Sequence, residues 1–262
     1  MKIALTLTCI ALGTAAFAMV LLYVGQHRVL YPAPRTALPA TLPDHVSRVD
    51  LTSGYALLLR ASPDPLDDQP LIIFTHGNGE TAWHWINAFG PLLNEGFAVL
   101  LVEYPGYGGA PGQPSLSSIE QTVLSAYDQA LLLPGIDAQN VVGYGRSIGG
   151  GAIALLASQR PLAGLVLEST FASLPQLIKE KGLPPFLLKD RYDNVGLLRK
   201  LALPVLLYHG SEDTLIPLHH SKALEAALPD AQLIVRRCGH NDCERPWPEL
   251  LRFLNGKVLV HR

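Results

Sequence analysis

Hydrophobic positions open the chain as one unbroken block. No charged residue occurs from Ile3 to Val24, a run of 22 residues whose most polar members are Thr6, Thr8 and Thr14. As a helix such a run is about 33 Å long, enough to cross a hydrocarbon core of about 30 Å. Lys2 precedes it, and Gln26, His27 and Arg28 follow. Ala16-Phe17-Ala18 has the spacing of a signal-peptidase site, yet the apolar run continues from Met19 to Val24, beyond the usual signal core. Residues 1–27 are therefore expected to form a membrane anchor or an uncleaved signal; a cleaved signal and a buried core helix are the alternatives. Basic residues flank both ends, which leaves the orientation open. Residues 28–44, with four prolines between Tyr31 and Pro43, read as an extended tether, and the folded domain as 45–262.

Beyond the tether, short apolar runs alternate with helical patterns. Val46 to Asp50 and Tyr55 to Arg60 flank Thr-Ser-Gly and predict a hairpin. Strands follow at Leu71 to Phe74, Phe97 to Val102, Val141 to Tyr144, Leu165 to Leu167, Pro204 to Tyr208 and Gln232 to Arg236. Helices are predicted over 81–94, 116–132, 147–159, 218–227 and 246–255. Strands this apolar are buried on both faces, as in a parallel sheet covered by helices. The expected fold is α/β, a doubly wound, mostly parallel sheet with an antiparallel entry hairpin. Active sites in such sheets lie at the carboxyl ends of the strands, so residues just after strands are the ones to inspect.

Composition narrows the classes. With 262 residues and 48% of them hydrophobic, the chain can bury a full core, which excludes a disordered protein. A formal charge of −2 offers no basic surplus for nucleic acid. Three cysteines are too few for a disulfide scaffold.

Candidate chemistry sits where the strands end. Gly145-Arg146-Ser147-Ile148-Gly149 is a G-x-S-x-G between a strand and a helix, the setting in which a strained turn exposes a serine and the helix amides face a developing oxyanion. A packing turn rich in glycine and a dinucleotide fingerprint are the rivals, and the glycine spacing is one residue too long for the latter. A serine needs a base. Of nine histidines, His27, His45 and His261 lie outside the core, His84, His219 and His220 fall in predicted helices, and His209 precedes another candidate in its own turn. His240 follows the last strand. Asp213, in the loop after the preceding strand, is the expected acid, with Glu212 and Asp242 as alternatives; this puts serine, acid and histidine in that chain order. After an early strand, His76-Gly77-Asn78-Gly79 offers the Asn78 amide as an oxyanion donor beside that of Ile148.

These blocks, with Glu103-Tyr104-Pro105-Gly106-Tyr107-Gly108, Glu168-Ser169-Thr170-Phe171 and Gly239-His240-Asn241-Asp242, resemble the BEM46-like α/β-hydrolases over roughly residues 28–255. The resemblance implies an α/β-hydrolase fold with a minimal lid, a catalytic triad of Ser147, Asp213 and His240, and oxyanion donors at Asn78 and Ile148. It implies a membrane-anchored serine hydrolase acting on a carboxylic ester or thioester through an acyl-enzyme. A serine-peptidase-like activity and a catalytically silent scaffold that binds a ligand or partner are the alternatives. The expected partners are a small-molecule or lipid-linked acyl substrate and, through the N-terminal helix, a membrane.

Several residues stay open. Family members carry small residues after the His-Asn-Asp turn, whereas here Cys238 and Cys243 bracket it, either as a local disulfide, which would imply an oxidising compartment such as a periplasm, or as two thiols. Arg146 either holds a negative substrate group or pairs with a carboxylate. About thirty residues between Phe171 and Leu203 are too few for a large lid, so the site should be shallow and open, with Trp83 and Trp85 as candidates for the acyl pocket. No cofactor is expected. No metal is expected either, since His219 and His220, as neighbours on a helix, should point apart.

Overall fold

Near-continuous runs of Val, Ile and Leu become the inner strands because both of their faces meet apolar side chains. The computed structural model describes residues 2–62 and 67–259, so His261 lies outside the described residues. The strands are β1 (Val46–Leu51), β2 (Gly54–Leu59), β3 (Gln69–Thr75), β4 (Ala98–Val102), β5 (Ile136–Arg146), β6 (Gly164–Glu168), β7 (Val205–Gly210) and β8 (Ala231–Arg236). The helices are α1 (Lys2–Leu30), α2 (Gly90–Asn94), α3 (Leu116–Ala130), α4 (Ile148–Ala157), α5 (Leu174–Glu180), α6 (Asn194–Leu198), α7 (His219–Ala227) and α8 (Trp247–Phe253). Among the described residues the strands form one eight-stranded sheet, ordered β1-β2-β4-β3-β5-β6-β7-β8. Only the β1–β2 and β2–β4 pairs are antiparallel; the other pairs are parallel, as expected of an entry hairpin feeding a doubly wound sheet.

The pleat divides the core in two. Leu71 and Ile73 of β3, Leu100 of β4 and Leu165 of β6 face one side, where they pack with residues of α3, α4 and α7. Ile72 and Phe74, Val99 and Leu101, and Val166 face the other, against α2 and α8. The predicted helix over 81–94 is broken: a single 3₁₀ turn covers Ala82–Trp85, and α2 starts afresh at Gly90 with a proline in its first turn. Pro91 has no amide to donate and disfavours helix in the residue before it, so one helix cannot run through. The segment between β6 and β7, left without elements by its sequence, holds α5, a turn over Pro185–Leu187 and α6.

The expected tether is not free. α1 continues through Arg28 to Leu30, and Tyr31 is buried. Gln26 clamps the turn before β7: its Nε2 donates to the Leu187 carbonyl (2.9 Å), and its Oε1 accepts the Lys189 amide (2.8 Å). The Tyr31 hydroxyl donates to Asp190 (2.8 Å) beside Tyr192 (3.1 Å). Burial, together with Tyr192 and Asp190, pushes this phenol far above its ordinary pKa, so it stays a donor. Further on, the Pro34 carbonyl accepts from Gly108, and Leu38 and Leu42 pack on the core. Within α1, Thr6–Leu30 is long and apolar enough to cross a bilayer, with mean hydropathy 2.2; a signal sequence at an N-terminus has the same composition.

Candidate active site

Every loop that matters leaves the carboxyl end of a parallel strand, as doubly wound sheets require. Ser147 joins β5 to α4 at φ 53°, a left-handed conformation that non-glycine residues avoid. Its neighbours make room. A Cβ on Gly149 would lie 2.1 Å from the Thr75 carbonyl, and one on Gly145 would lie 2.5 Å from the Gly149 carbonyl. The turn is held from outside by the Ser147 amide donating to Glu168 O (2.8 Å) and by the Thr170 hydroxyl donating to Ser147 O (2.7 Å). Ile148 opens α4 and so stands at the positive end of the helix dipole.

Ser147, His240 and Asp213 come together. His240 Nε2 lies 3.1 Å from Ser147 Oγ, and Nδ1 lies 2.6 Å from Asp213 Oδ2. The carboxylate can only accept, so Nδ1 carries the proton and Nε2 is free to accept from the serine. Asp213 is almost fully buried. Burial opposes its ionisation, but hydrogen bonds from His209, His240 and the Ile216 amide outweigh this and hold the carboxyl well below the usual range. The alternative acids are occupied elsewhere. Glu212 pairs with Arg237 at the surface (2.7 Å), and Asp242 accepts the Gly239 amide (2.6 Å) within its own loop.

His209 has a part that its sequence position did not reveal. Its Nε2 donates to the Ile216 carbonyl (2.7 Å) and lies 3.2 Å from Asp213 Oδ2, while Nδ1 meets the Ser221 hydroxyl (2.6 Å). It thus reaches the same carboxylate oxygen as His240, while Oδ1 accepts the Leu215 and Ile216 amides (2.9 and 2.8 Å). On the other flank, buried His76 places Nε2 3.0 Å from Glu103, and Glu103 also accepts the Ala82 amide (3.0 Å). This pair fixes the loop of Asn78, whose side chain accepts from the Tyr107 hydroxyl (3.0 Å).

Arg146 pairs with carboxylates. It contacts Glu80 and Glu168, and Nη2 donates to the His240 carbonyl (3.0 Å) and Asn241 Oδ1 (2.7 Å), so it carries the histidine loop. That loop is also closed covalently: Cys238 and Cys243 form a disulfide, with Cα atoms 5.2 Å apart. By the chain-entropy model so short a loop contributes about 2 kcal/mol. Replacing both cysteines by serine should lower Tm by roughly 4–8 °C. Thermal unfolding with and without reductant checks this; wild-type protein whose Tm ignores reduction would count against it.

Two cavities flank the triad and share Asn78 in their linings. One, of about 290 Å³, is lined by Ser147 and Ile148 and by apolar residues of α5, the Pro185–Leu187 turn and the end of α1. The last turns of α1 supply part of its wall, which the segment between β6 and β7 does not form alone. The other, of about 420 Å³, is polar and lined by His240, Glu80, Trp85, Arg146, Glu168 and Arg245. Trp85 thus lies on the polar side, with the Arg245 guanidinium 4.4 Å over its ring, and Trp83 packs on the core, so neither lines the apolar cavity. His219 and His220 do not point apart. Their rings stack at 4.6 Å, and both Nε2 atoms reach Glu180 of α5 (3.0 and 3.1 Å), because that carboxylate lies between them. These three groups bring ligand-type atoms within 4.8 Å of one another.

Fold and site together define a hydrolase-type α/β protein, and the comparisons agree. The alpha/beta hydrolase family profile matches residues 72–252, and the chain belongs to that family. An uncharacterized protein of Mycobacterium tuberculosis is 35% identical over 170 residues, 63% of this chain but only 58% of that protein's length. Among solved structures, an acetyl xylan esterase from Paenibacillus sp. R4 superposes with TM-score 0.68 at 14% identity, covering 90% of this chain and 94% of its own. The acylaminoacyl peptidase of Pyrococcus horikoshii superposes with TM-score 0.65 at 14% identity, over 81% of this chain and 42% of its own. At such identities these two share the fold.

Proposed function

We propose that the protein is a serine hydrolase of the BEM46-like branch, cleaving a carboxylic ester or thioester through an acyl-enzyme on Ser147. The observation that carries this is the unbroken hydrogen-bonded chain from Ser147 through His240 to Asp213, with Ser147 lining an apolar cavity. Ser147 Oγ attacks the acyl carbon while His240 Nε2 takes its proton, then passes that proton to the departing alcohol or thiol. Water repeats the sequence in reverse and frees the acid. Asp213 keeps the imidazole in the right tautomer and stabilises its cation. The amides of Asn78 and Ile148 receive the oxyanion, each worth about 10²–10³ in rate. An apolar cavity beside the nucleophile suits an acyl chain better than a peptide. α1 serves as a single-pass anchor, and the Cys238–Cys243 bond suits an oxidising, extracytoplasmic side.

A fluorophosphonate probe tests the reading on full-length protein. Wild type should label and Ser147→Ala should not. A folded wild type that stays unlabelled would remove the hydrolase reading in favour of a binding scaffold, and labelling that survives the substitution would mean that another residue is the nucleophile.

A further inference from the structure

The apolar cavity is not built by the hydrolase body alone. Leu22, Gln26, Val29 and Leu30 of α1 form one wall, facing Leu187 and Leu188 of the segment before β7. The apolar run of the helix, which ends at Val24, therefore leads directly into the wall of the cavity. Apolar side chains left in solvent surround this junction: Val29 is 76% exposed, Phe186 73%, Leu215 53% and Leu183 42%. Basic groups stand beside them. Lys189 Nζ lies 4.4 Å over the Tyr23 ring, Arg191 donates to the Pro185 carbonyl (2.7 Å), and Lys181, itself a lining residue, donates to the Thr214 carbonyl (2.8 Å). An apolar rim with cations around it matches the boundary between acyl chains and head groups of a bilayer. The polar cavity, which shares Asn78 with the apolar one and is lined by His240, has room for a hydrophilic leaving group.

We propose that the C-terminal turns of α1 form half of the acyl-binding pocket, and that its occupant is the long acyl chain of an ester lipid drawn from the bilayer in which α1 sits. This rests on the reading of Ser147 as nucleophile only for turnover; binding of the chain is independent of it. The chain lies between α1 and the segment 174–188 with its carbonyl at Ser147 and its head group in the polar cavity. Gln26, which bonds to Leu187 and Lys189, keeps the two walls together. Each methylene buried there raises kcat/KM by about fourfold.

The test uses full-length protein in phospholipid vesicles containing a phosphatidylcholine with a diazirine-labelled palmitoyl chain. In Ser147→Ala protein, light should attach the chain to residues 22–30 and 174–188. The same lipid supplied in separate vesicles should give roughly tenfold less product. Attachment confined to residues 7–21, the lipid-facing part of the helix, would overturn the pocket; equal labelling from separate vesicles would overturn the bilayer source. In otherwise wild-type protein, Val29→Asp should lower the ratio of dodecanoate to acetate ester kcat/KM by roughly tenfold or more, and Val29→Leu should restore it. A ratio unchanged by Val29→Asp overturns the proposal. Cross-linking at the pocket in Ser147→Ala protein, with no turnover by folded wild type, supports it and removes instead the assignment of Ser147 as nucleophile.

Discussion

Full-length protein carrying His240→Ala loses about 10⁶-fold in kcat on any ester that the wild type turns over, and Asp213→Asn loses about 10⁴-fold. The first figure is large because, among the described residues, the serine hydroxyl has no other base in hydrogen-bond reach: His240 Nε2 is 3.1 Å from its oxygen, while His209 is turned toward Ile216 and Ser221. The second is smaller because the imidazole remains in place. An amide at position 213 can offer Nδ1 a donor instead of an acceptor, and the ring then presents the wrong nitrogen to Ser147. Burst kinetics with an activated ester separate acylation from hydrolysis of the intermediate and should show both steps slowed. A loss of less than about tenfold in either variant would contradict the assignment. Asp213 also links stability to pH. Its carboxyl ionises more readily in the folded chain than in the unfolded one. That contribution is complete above the unfolded pKa, about 3.9, and is lost as pH falls toward the folded value. The stability gap between wild type and Asp213→Asn in urea titrations should therefore narrow below about pH 4.

Glu168→Ala should cost about 3–5 kcal/mol and lower Tm by roughly 6–20 °C. The carboxylate accepts from the Tyr144 hydroxyl (2.6 Å), from Arg146 Nε (3.2 Å) and from Arg245 Nε (3.0 Å), all largely out of solvent. Burial disfavours the Arg245 charge, but Tyr144 and Glu168 more than offset this and hold its pKa up, so removal of the carboxylate leaves a cation without its counter-charge. Arg146 retains Glu80 but loses its hold on one side, and with it the grip on the His240 loop. Activity should fall further than that of Glu168→Gln, which keeps an acceptor oxygen. Differential scanning calorimetry decides: a Tm within about 2 °C of wild type would mean that the two arginines find other partners.

What could be read from the chain alone depended on how far apart the cooperating residues lie. The inner strands are legible because each declares its double burial in a short, almost uninterrupted apolar run, from three at residues 165–167 to six at residues 97–102. The five residues around Ser147 announce a strained turn because strand, glycine and helix follow one another directly. Chain order singled out Asp213 and His240, and the structure sets His240 against Ser147 and Asp213 against His240. The helix over 81–94 misled because its apolar spacing looked helical while Gly90-Pro91 vetoed continuity. Partnerships across long sequence distances left no local signal. Gln26 and Tyr31 meet their partners some 160 residues later (159 for Tyr31 and Asp190), so a proline-rich stretch looked like a loose tether although it is fastened. Likewise nothing near His219 and His220 in sequence announces Glu180, which gathers both rings.

The left-handed backbone at Ser147 also limits which atom can do the attacking. At φ 53° the residue can carry one heavy atom on Cβ, but a second, as in threonine, would crowd the adjoining carbonyls. With the Thr170 hydroxyl and the Glu168 carbonyl holding that conformation, the turn cannot relax to admit a branched side chain. Over evolutionary time the position is therefore open to exchange between oxygen and sulfur, serine and cysteine, and closed to the secondary alcohol.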